Sequence, residues 1–481
     1  MTERGHHYDP IAATRRTFLK GGLGLGAIAL SEACLGQERA SLGGAAPPAV
    51  RRPPRVKRVI HLAMSGAPPH LDLFDPKSKL TELDGTDCPA SLLEGKRLAF
   101  IQGVPRLLGS PYPTVTSGAL GIEHSSLLEH FESYAADVCL VRSMHTDQFN
   151  HAPADLMLYT GSNTVGKPSV GAWAAWGLGT LNRDLPAYVT LVSGGSDPTG
   201  GNACWGAGFL PAEHQGVRLR SMGDPVLYVS DPAGLGRPMR RRMLDALREA
   251  NEEERRATGD PEVDARIAQY ELAFRMQTSV PEVMDISSES PETLEAYGAV
   301  PGKASFANNC LLARRLAESG VRYLQLHDWG WDLHGTSAGD DLLEAFPRKV
   351  REIDRPTAAL MRDLKRTGLL DETLVVWGGE FGRTPMNEAR GGSTFLGRDH
   401  QPDAFTMWLA GGGVKAGHVH GATDDLGASV TEGHVSVRDL HATVLHLLGL
   451  DPHELRFPFQ GLEHRLIGPA HGPEVARALL V

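Results

Sequence analysis

The segment LVVWGGEFGRTP, from Leu374 to Pro385, defines the kind of fold that this chain adopts. Its apolar residues Leu374 to Trp377 predict a short buried strand, and the two glycines that follow bring Glu380 to the carboxyl end of that strand. Open α/β sheets place their functional side chains at the carboxyl ends of their strands. The segment therefore predicts a core strand and a functional site beside it.

Two other segments combine a strand with carboxylate and imidazole groups. YLQLHDWGWDLHG, which begins at Tyr323, leads from an apolar run to Asp332 and His334. GRDHQPDAFTMWLAGGG places His400 just before a strand-like run at 405–410. These residue types are metal ligands, and we predict that Asp332, His334, Glu380 and His400 bind a divalent metal. Mixed nitrogen and oxygen ligands without thiolate favour Zn or Mn over Ca or Mg.

The rest of the chain alternates strand and helix patterns. Predicted strands lie at 59–64, 138–141, 186–192, 321–326, 374–377 and 405–410, and predicted helices at 125–135, 306–318, 355–366 and 437–448. Such alternation predicts an α/β fold, a three-layer sandwich whose mostly parallel central sheet is covered on both faces. Residues 201–303 differ, because charged helix-forming runs at 243–257 and 262–277 predict a loop-rich and helical insertion.

Composition limits the class of protein. The chain has 481 residues, of which 41% are hydrophobic, enough for one large α/β domain or two ordinary ones. Its formal charge of −10 and its lack of long basic runs argue against a nucleic-acid partner, because binding to phosphates needs clustered Lys and Arg.

The amino terminus has the pattern of a targeting segment. TRRTFLK, from Thr14 to Lys20, puts Arg15 and Arg16 before a weakly apolar run, which is typical of a twin-arginine export signal over residues 1–40. Residues 41–55 predict a linker. We expect a periplasmic or exported protein that engages the export machinery. A lipoprotein anchored at Cys34 is the less favoured alternative. No later apolar run reaches the roughly 18 to 20 residues that a membrane span needs.

The cysteines do not have the spacing of a zinc site. Cys88, Cys139, Cys204 and Cys310 are far apart in sequence and form no Cys-x-x-Cys pair. Cys88 and Cys204 lie in predicted loops, and a disulfide between them is left open for an exported protein.

Several motifs in order carry a family resemblance. GAPPHLDLFDPK, NHAPADLMLYTG, YELAFRMQTSVPEVMDIS, TLVVWGGEFGRTP and GRDHQPD together resemble the bacterial domain-of-unknown-function-1501 family, over nearly the whole chain from about Arg55 to Gly468. That family is similar to the alkaline phosphatase and sulfatase superfamily. The resemblance implies a domain over residues 56–468 with an alkaline phosphatase-like fold and divalent metal at the carboxyl ends of the sheet.

The resemblance also implies roles for single residues. Glu380 takes the place of a metal-binding Asp, with Phe381 where a His is expected, and His400 resembles the later metal-binding His. The first strand ends in Ser65-Gly66-Ala67, where the superfamily has a metal-binding Asp, so Asp72 or His70 would have to substitute.

The usual nucleophile is missing. His151 stands where sulfatases place that residue, so it is a candidate ligand, general base or nucleophile, and Thr146 is the one nearby hydroxyl. Arg383 is a candidate oxyanion clamp or, alternatively, a structural partner of Asp or Glu.

These residues predict an exported metal-dependent hydrolase-like protein. The expected substrate is a small-molecule or glycan ester of phosphate or sulfate. The alternative is a non-catalytic metal-binding or glycan-binding protein that keeps the fold with a degenerate site. The oligomeric state is left open.

Overall fold

A nine-stranded sheet forms the centre of the structure, a computed structural model that describes residues 52–96, 98–117, 121–226, 236–259, 261–469 and 472–481. The strands are β1 (Arg58–Ser65), β2 (Val138–His145), β3 (Tyr188–Ser193), β4 (Val217–Arg218), β5 (Tyr323–Trp329), β6 (Thr373–Gly378), β7 (Phe405–Gly411), β8 (His418–His420) and β9 (Val435–Ser436). The predicted export signal at 1–40 and most of the linker at 41–55 lie outside the described residues.

The sheet is mostly parallel. Its strand order is β8-β2-β7-β6-β1-β5-β3-β4, and β9 also pairs with β2. Strand β7 runs antiparallel to both of its neighbours, β2 and β6. The other pairs in the described part of the sheet are parallel. Strand β1 lies between β5 and β6 in the middle of the sheet, so the carboxyl ends of these three strands meet at one edge.

Helices cover both faces of the sheet. The described helices are α1 (Ser78–Glu82), α2 (Ala90–Leu93), α3 (His151–Thr160), α4 (Val170–Leu178), α5 (Arg237–Thr258), α6 (Pro261–Met284), α7 (Pro291–Tyr297), α8 (Phe306–Glu318), α9 (Ala345–Arg366) and α10 (Val437–Leu447). Short hairpins pair Thr114–Ser117 with Ile122–Ser125, Gly382–Arg383 with His400–Gln401, Ala422–Thr423 with Val430–Glu432, and Phe457–Phe459 with Leu462–His464.

Strand β1 shows why the fold has three layers. All eight of its residues are buried, and successive side chains of a strand point to opposite faces. Ile60 and Leu62 join a core that includes Leu311 of α8 and Leu360 of α9. Val59 and Ala63 join a second core on the other face, which includes residues of α3, α4 and α10. The predicted α/β three-layer sandwich is confirmed.

One predicted helix is wrong. Residues 125–135 contain the end of a short strand, one complete 3-10 turn and the start of a second one instead of an α-helix. Leu128 and Phe131 are buried, so the apolar spacing did identify core positions. The backbone, however, bonds to distant partners: the Ser125 amide donates to the Leu73 carbonyl, and the His130 amide donates to Asp354. These tertiary contacts outweigh the local helical pattern.

Residues 201–303 are described apart from 227–235 and 260. They contain α5, α6 and α7, and also the edge strand β4, which pairs with β3. Cys88, Cys139, Cys204 and Cys310 are buried free thiols, so the disulfide left open between Cys88 and Cys204 is absent. Among the described helices, none is both long and apolar enough to cross a membrane.

Candidate metal centre

Two glycines allow the loops at the carboxyl edge of the sheet to meet. Gly66 follows β1 with a positive φ of 105°, and a Cβ added there would lie 2.7 Å from the Asp332 backbone nitrogen. A Cβ added to Gly379, after β6, would lie 2.7 Å from the Met64 carbonyl oxygen. Any side chain at these positions would separate the loops. Their close approach brings the Glu380 carboxylate to the Gly66 amide, 3.0 Å away.

Four of the residues singled out in the sequence converge at this edge. His151, Asp332, His334 and His400 each offer one ligand atom, and these atoms all lie within 4.8 Å of one another. His151 is the first residue of α3, which follows β2, and Asp332 and His334 lie in the loop after β5. His400 is paired with Arg383 in a short hairpin. The structure thus brings Asp332, His334 and His400 together as predicted ligands, and adds His151.

The three imidazoles face one carboxylate oxygen. The distance from Asp332 Oδ1 is 2.7 Å to His334 Nε2, 3.0 Å to His151 Nε2 and 3.5 Å to His400 Nε2. A carboxylate oxygen and three ring nitrogens in so small a space form the type of donor set that binds transition metals.

The outer nitrogen of each imidazole is held by an acceptor. The three Nδ1 contacts are His151 to Glu380 Oε1 at 2.6 Å, His334 to Glu388 Oε2 at 2.5 Å, and His400 to the Phe149 carbonyl at 2.8 Å. A carboxylate or carbonyl oxygen accepts the Nδ1 proton, which leaves the lone pair of a neutral imidazole on Nε2. Metal-ligating histidines show this arrangement, because the outer contact fixes both the tautomer and the ring orientation.

Three atoms of the site are buried without a hydrogen-bond partner. They are His151 Nε2, His400 Nε2 and Glu380 Oε2. His151 Nε2 lies near Asp332, but the contact lacks the alignment of a hydrogen bond. Buried polar atoms are nearly always paired in folded proteins, so unpaired nitrogens and a carboxylate oxygen in one cluster indicate a binding site. The residues fit a divalent cation.

The proton affinities of the side chains in the site are strongly perturbed. Burial opposes ionisation of Asp332, but Arg383 and the imidazoles outweigh it and hold the pKa of this carboxyl far below its ordinary value. Burial lowers the pKa of His400 to about 4. Burial also acts to lower the pKa of His151, but the Asp332 and Glu380 carboxylates raise it to about 9. The site therefore contains an ionised carboxylate beside imidazoles that differ widely in proton affinity.

The guanidinium of Arg383 is held in place by hydrogen bonds to other residues of the protein. Its side chain is buried, and Nη2 donates to Asp332 Oδ1 at 2.6 Å and to the Gly66 carbonyl at 2.5 Å. Nε donates to the Ala67 carbonyl at 3.0 Å, and Nη1 donates to the Arg398 carbonyl at 3.1 Å. These contacts use the donors that an oxyanion clamp would need. Of the two roles open at the level of sequence, the geometry favours the structural partner of an Asp.

Asp72 and Thr146 do not join the cluster of four. Asp72 is fully buried in a bidentate ion pair with Arg398, at 2.7 Å to Nε and 3.0 Å to Nη2. Both carboxylate oxygens are thus occupied, and the structure gives Asp72 a structural contact in place of the predicted ligand contact. Thr146 donates its backbone amide to the Pro402 carbonyl, while its hydroxyl is buried without a partner.

The sequence did not predict two features of the site. Glu388, whose side chain is buried, holds His334, and the sequence offers only the presence of one more acid between two predicted ligand segments. Aromatic rings surround the imidazoles: Phe381 lies 4.8 Å from His151 and 4.7 Å from His400, measured between ring centroids. Phe100 lies 5.0 Å from the His334 ring. These rings pack against the imidazoles of the cluster.

The fold and the site define an α/β protein with a histidine-rich candidate metal centre at the carboxyl edge of its sheet. The family model described as "Protein of unknown function (DUF1501)" matches residues 56–479, and the chain belongs to this family. No curated protein matches the sequence significantly.

Solved structures with a similar fold include members of the alkaline phosphatase and sulfatase superfamily. The lipoteichoic acid synthase LtaP from Listeria monocytogenes is 10% identical with a TM-score of 0.35, and the match covers 89% of this chain and 78% of that one. The PsFucS1 sulfatase from Pseudoalteromonas sp. is 12% identical with a TM-score of 0.32, covering 82% and 68%. The alkaline phosphatase from the Antarctic bacterium TAB5 is 12% identical with a TM-score of 0.30, covering 74% and 92%.

Proposed function

We propose that this chain is an exported hydrolase that binds a divalent metal through His151, Asp332, His334 and His400 and cleaves a phosphate or sulfate ester. The main support is the pairing of the imidazoles: each donates from Nδ1 to a fixed acceptor and presents Nε2 to the side of Asp332 Oδ1. Two of those Nε2 atoms are buried without a hydrogen bond.

The donor set favours particular metals. Three nitrogens and one carboxylate oxygen suit Zn or Mn, whereas Ca and Mg prefer oxygen donors. Glu380, predicted as a ligand, holds His151 through Oε1 and keeps Oε2 buried and unpaired. We assign Glu380 the role of orienting His151 through Oε1, while its Oε2 makes no hydrogen bond.

The surrounding residues support ester chemistry. When bound, a divalent cation supplies Lewis-acid polarisation of an ester oxygen. Arg383 keeps Asp332 ionised, and Phe381 packs against two of the imidazoles. His151 stands at the amino-terminal end of α3, where the helix dipole favours an anionic group such as a phosphate or sulfate.

Catalysis in this proposal does not pass through a serine, threonine or formylglycine ester. His151 begins α3 at the position where the resemblance places a nucleophile, and its neighbours Asn150 and Ala152 carry no hydroxyl or thiol. Once Nε2 of His151 has lost its proton, its lone pair can bind metal, accept a proton or attack the ester centre. Mass spectrometry of protein trapped with substrate distinguishes these roles, and an adduct on Thr146 or any serine would refute this step.

The test of the proposed function combines metal analysis with an ester assay. Purified wild type should retain about one Zn or Mn per chain and hydrolyse p-nitrophenyl phosphate or p-nitrophenyl sulfate, and His400→Ala should lose both properties, because removing one ligand weakens metal binding. His418→Ala changes a half-buried histidine outside the cluster and should leave both intact. Wild type without metal would overturn the proposal. Retained metal with no hydrolysis of any ester would favour the non-catalytic metal-binding or glycan-binding alternative.

A further inference from the structure

Arg390 lies next to the candidate metal centre, and its guanidinium makes fewer hydrogen bonds within the protein than that of Arg383. Its Nε donates to Glu388 Oε1 at 2.6 Å, and Glu388 in turn holds His334. No other hydrogen bond from this guanidinium is present among the described residues, and Nη2 is buried without a partner. A buried guanidinium nitrogen without an acceptor is costly, which indicates that a ligand supplies one.

Phe100 ties Arg390 to the same side of the site. The Arg390 guanidinium carbon lies 3.6 Å from the Phe100 ring centroid, within the range of a cation–π contact. The same ring lies edge-on to His334 and His400, at 5.0 Å and 5.5 Å between centroids. Phe100 is 41% exposed and the Arg390 side chain is 37% exposed, so the pair lies at the surface of the protein beside two predicted metal ligands.

The backbone before Arg390 is held in an unfavourable conformation. Ala389 has φ 46° and ψ 39°, in the left-handed region that residues with a Cβ rarely adopt. Such strain persists where the surrounding contacts fix it, and it clusters at binding sites. Here it precedes the residue that joins the Glu388 carboxylate to the Phe100 ring.

We infer that Arg390 binds the anionic group of the substrate, the phosphate or sulfate of the ester, and that Phe100 holds the guanidinium in place. This inference rests on the proposed function and transfers to Arg390 the anion-binding role that the sequence suggested for Arg383. A guanidinium binds phosphate or sulfate through two parallel N–H donors, and partial desolvation by Phe100 strengthens the contact. The substrate class is therefore a monoester or diester that keeps a negative charge beside the metal.

The experiment measures the binding of inorganic phosphate and of sulfate to the metal-loaded protein by calorimetry, after the metal content has been determined. Arg390→Gln should weaken phosphate or sulfate binding roughly 10- to 100-fold, the loss expected for a charge-assisted hydrogen bond, with the metal content unchanged. Arg390→Lys should fall between wild type and Arg390→Gln, because lysine keeps the charge but not the planar donors.

A matched control separates this role from a general effect of charge. Arg456 donates to Glu454 two residues earlier, as Arg390 does to Glu388, and is 42% exposed. Arg456→Gln should leave the affinity for phosphate and sulfate as in wild type.

Each contrary outcome has its own meaning. If the protein holds metal and Arg390→Gln binds phosphate and sulfate as wild type does, the inference is overturned and the proposed function stands. Loss of metal from Arg390→Gln also overturns it, because Arg390 would then act by positioning Glu388. Metal-loaded wild type that binds neither anion overturns it as well. If wild type holds no metal, both the proposed function and the inference fall.

Discussion

Changing Glu388 to glutamine tests whether His334 is a metal ligand whose ring is oriented by a hydrogen bond from its Nδ1 to Glu388. The buried carboxylate holds two donors at once, His334 Nδ1 at 2.5 Å and Arg390 Nε at 2.6 Å. Glutamine has the same shape but only one acceptor oxygen, so one of these donors loses its partner. Loss of such an outer contact lowers metal affinity about 10- to 100-fold, which corresponds to about 1.4 to 2.7 kcal/mol.

Competition with a chromophoric zinc chelator measures this affinity directly. Glu454→Gln is the matched control, since Glu454 also accepts from an arginine two residues away but touches none of the four clustered residues. Glu388→Gln should remain folded, with a weaker zinc affinity than either the control or wild type. An unchanged affinity in Glu388→Gln would refute the claim that His334 binds metal through Nε2.

Three further predictions concern stability and export. Asp72→Asn should lower the free energy of unfolding by about 3–5 kcal/mol in denaturant titrations, because it leaves Arg398 buried without its ion-pair partner, and the folded fraction should keep its metal; selective metal loss without destabilisation would restore Asp72 as a ligand. Burial raises the pKa of Asp354 to about 6. The folded state therefore binds this proton more tightly than the unfolded chain, so the contribution of Asp354 to stability falls as pH rises from about 4 to about 6. Asp354→Asn should then be more stable than wild type by about 1–3 kcal/mol at pH 7.5 and not at pH 4, and an equal change at both pH values in denaturant unfolding would contradict this. Replacing Arg15 and Arg16 by lysine should leave the precursor in the cytoplasm on cell fractionation, since twin-arginine export reads the guanidinium pair; normal export of that variant would exclude the signal.

The central strands were predictable because strands that are buried on both faces appear in the sequence as short apolar runs that end at glycine. The strand at 374–377 is β6 within one residue at each end, and 405–410 is β7 within one residue. The residues after β5 and β6 converge because both strands run parallel to β1, which lies between them. The carboxyl ends of the three strands therefore lie at the same edge of the sheet. The helix at 125–135 failed because its backbone bonds to partners far away in the chain, which no local pattern records.

The candidate site, like the fold, was only partly predictable from the sequence. The residue types and their places at strand ends were readable, but their partners were not. Glu388 contacts His334 across 54 residues of sequence, and nothing near Glu388 marks that contact. Arg383 is locked by the carbonyls of Gly66, Ala67 and Arg398, and backbone acceptors leave no trace in a sequence. Partner identity depends on tertiary approach, which explains why Asp72 has a structural contact where the sequence suggested a metal ligand, and why the sequence left both roles of Arg383 open.

X-ray absorption at the K-edge of the metal retained by the purified protein tests the central claim most directly. We predict the scattering signature of three imidazoles and one carboxylate, with nitrogen and oxygen neighbours at about 2.0–2.2 Å if the metal is zinc. His334→Ala should reduce the imidazole signal or abolish metal binding. A spectrum dominated by sulfur, or a metal with no imidazole neighbours, would contradict the assignment of His151, Asp332, His334 and His400 as one metal centre.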